Sequence, residues 1–200
     1  RLLGEAGWIA GTLLGLALLV ALGSYHRDDP GFSNSASTAQ IRNLAGPVGA
    51  WVADLMLVAF GYSAGVWPLA GLAWSVRLWR RLFVLHPRAR AQVADEEVAG
   101  WLRAVAGGVL VAAFAALATL RLHTHEAGLP GSAGGALGDL VAPHVVAAFG
   151  FTGATLVLLA AVALGASLHF GFSWLALAEA LGTAFDAVAG RLRRMREAEI

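Results

Sequence analysis

The chain contains no cysteine and no lysine. Without cysteine there can be no disulfide framework, no Cys-ligated zinc site and no thiol nucleophile. Without lysine there is no GxxxxGK[ST] phosphate loop, no Schiff base and no lysine general base, so these 200 residues hold no P-loop ATPase core. Charge of either sign is scarce at 14%, against 58% hydrophobic residues and a mean hydropathy of +0.68. A soluble domain of this size could not keep that balance in water without a large exposed apolar surface. Composition alone therefore expects a membrane protein. The use of arginine for all 14 strong bases, beside abundant alanine and glycine, reads as coding bias and implies no function.

What remains is a series of long apolar runs. Leu55–Val76 carries no charged side chain, and at ~1.5 Å per helical residue it is ~33 Å long, enough to cross a bilayer core. Ala6–Tyr25 is a second charge-free run, too long for the apolar part of a secretory signal peptide, although Ala21-Leu22-Gly23 loosely resembles a cleavage site. The expected fold is all-α and polytopic, with four transmembrane helices at about 6–25, 48–76, 102–120 and 145–168. A basic amphipathic helix at 173–200 follows. Arg103 and Arg121 flank the short third span and can snorkel to the two interfaces. Of the fourteen arginines only Arg27, Arg42 and Arg121 lie outside the N-terminus, the 77–103 segment and the tail. The positive-inside rule thus expects both termini and the 77–103 segment in the cytoplasm.

In the tail, Trp174, Leu177, Leu181, Phe185, Val188, Leu192 and Met195 recur every three or four residues, with Arg191, Arg193, Arg194 and Arg196 forming a basic end. That pattern suits a helix lying on the cytoplasmic membrane surface; packing on a following soluble domain is the competing reading. Since the chain begins at Arg1 rather than Met and ends in a charged helix, a longer protein is expected.

The polar segment His26–Gly46 reads as a loop outside the bilayer, turning at Asp28-Asp29-Pro30-Gly31. Pro47 suits the first position of a helix and Trp51 an interfacial aromatic. Asp54 is either a capping or solvated interfacial acid or, because membrane carboxylates are often functional, a proton-relay or partner-contact group. Gly7, Gly11 and Gly15 share one helix face and allow close approach of another helix, as does the Gly61-x-x-x-Gly65 pair, within one bundle or between protomers. Pro68 is expected inside a span, where it removes a backbone hydrogen bond and kinks the helix, for packing or for gating.

Chemistry is sparse. His123-Thr124-His125-Glu126 is the one cluster of metal-ligand residue types, and two histidines at i and i+2 meet one ion only in an extended segment. No serine stands in a nucleophile-elbow context. Thr12, Ser63, Ser75, Thr119, Thr152 and Thr155 are too few for an ion or substrate path, and membrane-flanking arginines need no DNA to explain them.

The motifs SYHRDDPGFS (Ser24–Ser33), NLAGPVGAWVAD (Asn43–Asp54) and FGYSAGVWPL (Phe60–Leu69) are followed by GGALGDL (Gly134–Leu140), FGFTGA (Phe149–Ala154) and HFGFSWL (His169–Leu175). In that order they resemble the four-helix N-terminal membrane domain of the FtsK/SpoIIIE family of bacterial DNA translocases, over nearly the whole chain. The resemblance implies an anchor at the division septum, joined by a long linker to a cytoplasmic hexameric ATPase that pumps double-stranded DNA. It implies the lipid bilayer and divisome membrane proteins as partners, self-association through the motor, and no direct nucleic-acid contact by this segment. ATP and Mg would belong to the motor, leaving no cofactor here. Asn43, Gly46, Pro47, Gly49, Trp51, Asp54, Gly61, Tyr62, Gly65 and Pro68 become candidate fold-defining or partner-contact positions, none of them catalytic. Gly46–Gly49 and Asp54 are expected to shape the periplasmic end of the bundle. The third span and the Gly-rich 121–143 loop carry no family motif of their own beyond GGALGDL.

Overall fold

The computed structural model describes residues 2–35, 40–84, 100–122 and 128–197, with side chains to Asp186. In chain order these form α1 (Leu2–Gly23), α2 (Gly46–Phe60), a 3-10 helix (Gly61–Gly65), α3 (Val66–Trp79), a π-helical turn (Arg80–Val84), α4 (Gly100–Arg121), α5 (Gly135–Phe170) and α6 (Trp174–Glu197). No strand occurs among the described residues. Four stretches are long and apolar enough to cross a membrane, namely Leu2–Gly23, Gly46–Val84, Gly100–Arg121 and Gly135–Phe170. The chain is an all-helical protein with four membrane-crossing helices.

The first hairpin pairs α1 with α3 through glycine. Cβ atoms built on Gly4, Gly7, Gly11 and Gly15 would meet Leu82, Leu78, Ser75 and Leu72 in turn, at 3.0, 3.6, 2.6 and 2.9 Å. Residue numbers fall on α3 as they rise on α1, so the two helices are antiparallel along their whole length. Bare glycine backbone lets α3 approach where lipid provides no hydrophobic drive to association. The Gly7-Gly11-Gly15 face thus lies within one bundle.

The second hairpin uses alanine in the same role. On α4, Ala113, Ala115, Ala116 and Ala118 are all buried, and Ala113 and Ala116 pack with Leu158 of α5. Gly165 sits so close that a Cβ would lie 3.0 Å from the Ala106 carbonyl oxygen, and Gly107 is covered by the His169 ring. Near the other end of this hairpin, Arg121 donates to Thr155 Oγ1 at 2.9 Å and lies over the Phe151 ring. Arg77 ties the hairpins together, donating to the carbonyls of His169 and Phe170 at 3.4 and 3.3 Å.

Two of the four crossing stretches are too long to be straight. Gly46–Val84 has 39 residues, about 58 Å as a continuous helix against a core of about 30 Å. It breaks at Gly61 (φ +54), and α5 breaks at Gly150 (φ +67, ψ 171), both in conformations that a Cβ disfavours. Gly49, Asp54 and Leu57 of α2 all lie against the same short piece of chain, Ala21–Tyr25, so α2 runs across the end of α1. The crossing expected over 48–76 is therefore divided: α2 caps the hairpin, and the helix paired with α1 begins after Gly61. The crossing expected over 145–168 likewise contains a break, and the part that pairs with α4 follows Gly150.

These breaks expose an internal repeat. Gly46, Gly49, Ala53, Phe60, Gly61, Tyr62 and Ser63 match Gly135, Gly138, Ala142, Phe149, Gly150, Phe151 and Thr152 at constant offset. Each copy opens on the same turn, Gly46 N–H donating to the Asn43 carbonyl (2.9 Å) and Gly135 N–H to the Ser132 carbonyl (3.0 Å). Gly46 and Gly135 both have positive φ, +72 and +62. Residues 43–63 and 132–152 are thus two copies of one motif, a turn, a helix and a glycine break, each standing between two crossing helices.

Candidate functional site at the capped end of the first hairpin

The polar loop after α1 closes on itself through two buried carboxylates. Asp29 accepts the backbone N–H groups of Arg42 (2.9 Å) and Asn43 (2.8 Å), bringing the loop's far end back to its start. Asn43 is itself buried: its Nδ2 donates to the Ala21 carbonyl at 2.8 Å, and its Oδ1 accepts the Ala45 N–H at 2.9 Å. The last turn of α1 is thereby stitched to the start of α2. Pro47 then occupies the first turn of α2, where a missing N–H costs no intrahelical bond.

Asp54 is the centre of the cap. Only 3% of its surface is exposed. Oδ1 accepts from the Tyr25 hydroxyl and the Ser33 hydroxyl, each at 2.9 Å, and Oδ2 accepts the Ser33 backbone N–H. Gly31 packs directly on the carboxylate, where a Cβ would come within 2.8 Å. A solvated interfacial acid, one of the readings the sequence allowed, is therefore not what the fold contains. The 31–33 turn can fold over the group because Gly31 has no side chain to hold it off and Ser33 offers both its hydroxyl and its N–H. With three donors fixed on it, the carboxylate can hold the loop, α1 and α2 in one arrangement.

Beside this polar knot, next to the exposed Arg42–Asp28 pair, part of the surface is apolar. Leu44 (81% exposed), Val48, Trp51 and Phe32 face outward, with the Phe32 and Trp51 rings edge to face at 6.3 Å. Beside it a groove of about 480 Å³ is lined by Leu19, Leu22, Tyr25, Leu57, Tyr62 and Pro68. Pro68 is fully buried and falls in the first turn of α3, so it ends no hydrogen-bond ladder there; the kink expected of it belongs to Gly61.

Gly61 and Gly65 do not form one packing face. Gly61 abuts the backbone of Ala133 and Gly135, and Tyr62 N–H donates to the Ala133 carbonyl at 2.8 Å; nothing lies within 4 Å of a Cβ on Gly65. Trp174 opens α6 and donates from Nε1 to the Ala163 carbonyl at 3.0 Å. The backbone of α6 continues past Arg191, Arg193, Arg194 and Arg196, whose side chains lie outside the described residues, as do His123, Thr124, His125, Glu126 and the 85–99 segment. Among the described residues no three His, Asp or Glu side chains gather as metal ligands would.

Sequence reasoning did not single out Tyr25, Asp29 and Ser33 as partners of the cap, nor the repeat. The first three lie in the quoted SYHRDDPGFS segment, but nothing local says which acid faces inward. The repeat was visible as GxxG followed by AFG[YF][ST].

The 4TM region of DNA translocase FtsK/SpoIIIE, as a family, matches residues 1–182. DNA translocase FtsK 2 of Ralstonia nicotianae is 40% identical over 199 residues, 98% of this chain and 25% of the relative. DNA translocase FtsK of Shewanella oneidensis is 33% identical over 97% of this chain and 20% of its own length, and that of Pseudomonas putida 34% over 97% and 23%. The chain thus spans about a quarter or less of these relatives. No solved structure matches it. Four crossing helices and a match over most of the chain agree: this chain belongs to the family of the membrane region of the FtsK/SpoIIIE DNA translocases.

Proposed function

We propose that the chain is the membrane anchor of a cell-division DNA translocase. The observation that carries this reading is the full-length match to the membrane region of proteins four to five times longer, each named for DNA translocation. In this reading the domain sits in the bacterial cytoplasmic membrane with both termini inside, as the arginine distribution asks. The basic helix α6 leads to a linker and an ATP- and Mg-dependent motor that oligomerises around DNA. The capped end then faces the periplasm, where the Leu44–Trp51 surface meets membrane proteins of the division machinery. The mainly apolar, alanine-lined helix contacts favour an anchor over a conduit.

The test is the position of this chain, fused to a fluorescent protein at its C-terminus, in dividing cells. Enrichment at mid-cell beyond that of a general membrane marker is the expected result. Uniform membrane fluorescence would reduce the reading to a membrane anchor with no septal address of its own.

A further inference from the structure

The two halves of the chain meet at several places, through Arg77 and around Val66 among others, and one of these contacts joins a break to a turn and is asymmetric. The break of the first repeat, Gly61–Tyr62, receives the opening turn of the second, Ser132–Gly135. Tyr62 N–H donates to the Ala133 carbonyl, and Gly61 and Gly135 lie backbone against backbone, each leaving no room for a Cβ on the other. Ala133 is completely buried by this contact. A helix broken in an apolar layer releases backbone groups that lipid cannot satisfy, and here a carbonyl from the other repeat satisfies one of them.

Each repeat carries both halves of that joint, so one break and one turn are left over. The leftover break is at Gly150, which like Gly61 has a positive φ, +67 against +54. Nothing lies within 4 Å of a Cβ there, and its neighbours Phe149 and Phe151 are 57% and 50% exposed. The leftover turn is Asn43–Gly46, closed by the same hydrogen bond as Ser132–Gly135. Its Leu44 stands where Ala133 does and is 81% exposed, and nothing lies within 4 Å of a Cβ on Gly46. One segment is shown to fit this kind of break, and the chain presents a second, unused copy of it.

We propose that the Leu44–Gly46 turn of one copy docks into the Gly150 break of another, repeating between chains the joint that Ala133–Gly135 and Gly61 make within one. The Leu44 carbonyl would accept the Phe151 N–H, as the Ala133 carbonyl accepts that of Tyr62. Such an interface is heterologous: different surfaces meet, every copy has one of each, and the assembly closes into a ring when the rotation between copies allows it. The association belongs to the membrane domain itself and does not depend on any motor.

The absence of cysteine makes the test direct. Two differently tagged forms of the whole chain, one Leu44→Cys and one Phe151→Cys, are co-expressed in membranes and treated with a short thiol crosslinker. Mixed dimers are expected, each single variant alone staying monomeric, and the double variant giving a ladder. Homotypic Leu44→Cys dimers without mixed ones would overturn the proposal. Energy transfer between labelled copies in lipid vesicles provides a second reading. Transfer that is lost on Leu44→Arg, an exposed position, supports the joint; absent transfer, or transfer that Leu44→Arg leaves unchanged, overturns it.

Discussion

The Tyr25 hydroxyl donates to Asp54 Oδ1 at 2.9 Å, and through this one bond the end of α1 is held to the middle of α2. Asp54→Ala releases that hydroxyl together with the hydroxyl and N–H of Ser33. Tyr25 is half-buried, so its stranded hydroxyl costs about 1 kcal/mol or more, whereas the exposed Ser33 can turn its donors to water. The variant is expected to lose several degrees of melting temperature in detergent and to accumulate less in membranes. Tyr25→Phe removes one donor only, and its loss should be the smaller of the two. Equal stability of Asp54→Ala and the parent would show that the cap holds nothing.

Gly61 and Gly65 provide a matched contrast four residues apart. Gly61→Ala puts a Cβ into the Ala133 backbone and strains a positive φ, whereas Gly65→Ala meets open space. The first should cost about 2 kcal/mol or more and the second less than about 1 kcal/mol. Thermal unfolding of both variants in the same detergent measures the difference.

On the glycine faces, Gly11→Ala and Gly108→Ala should move stability in opposite directions. A Cβ at Gly11 would lie 2.6 Å from Ser75 Oγ, forcing α1 and α3 apart. At Gly108 nothing lies within 4 Å, so the better helix former should add about 0.5–1 kcal/mol. Chemical unfolding followed by circular dichroism gives both signs.

Asn43→Ala is expected to free the start of α2. The substitution removes the bond to the Ala21 carbonyl and the one from Ala45 N–H, each worth about 1 kcal/mol net. Faster protease cleavage within residues 40–46 in intact vesicles, with the crossing helices still protected, is the outcome that checks it.

The four crossings were legible because apolar length survives any arrangement of the helices. So was the identity of the polar segments at the capped end, since hydrophilic runs between apolar ones must leave the bilayer. What the sequence concealed was direction. Leu55–Val76 reads as one uninterrupted span because Gly61 differs from Gly71 only in its φ, which depends on Ala133 packing against it. Asp54 could be read as an interfacial acid or as a functional one, and not as the centre of a loop fold, because the residues that bury it, Tyr25, Gly31 and Ser33, are distant in sequence and carry no marker of which carboxylate they serve. Pro68 suggested a kink for the same reason: a proline ends a helix or begins one, and only the position of the break decides between them.

The seam between α4 and the part of α5 beyond Gly150 also sets how the domain responds to mechanical load. Tension applied to α6 would enter at Gly171–Trp174, where the Trp174 indole is fastened to Ala163 and the Ser167 hydroxyl to the Phe172 carbonyl. A load drawn along the α5 axis would run parallel to a seam of contacts from Gly107 and His169 at one end to Arg121 and Thr155 at the other. Pulling in that direction loads the contacts together, as shear does, whereas a pull across the axis would open them one by one. A domain of small side chains and few hydrogen bonds can in this way resist a force that would peel it apart from the side.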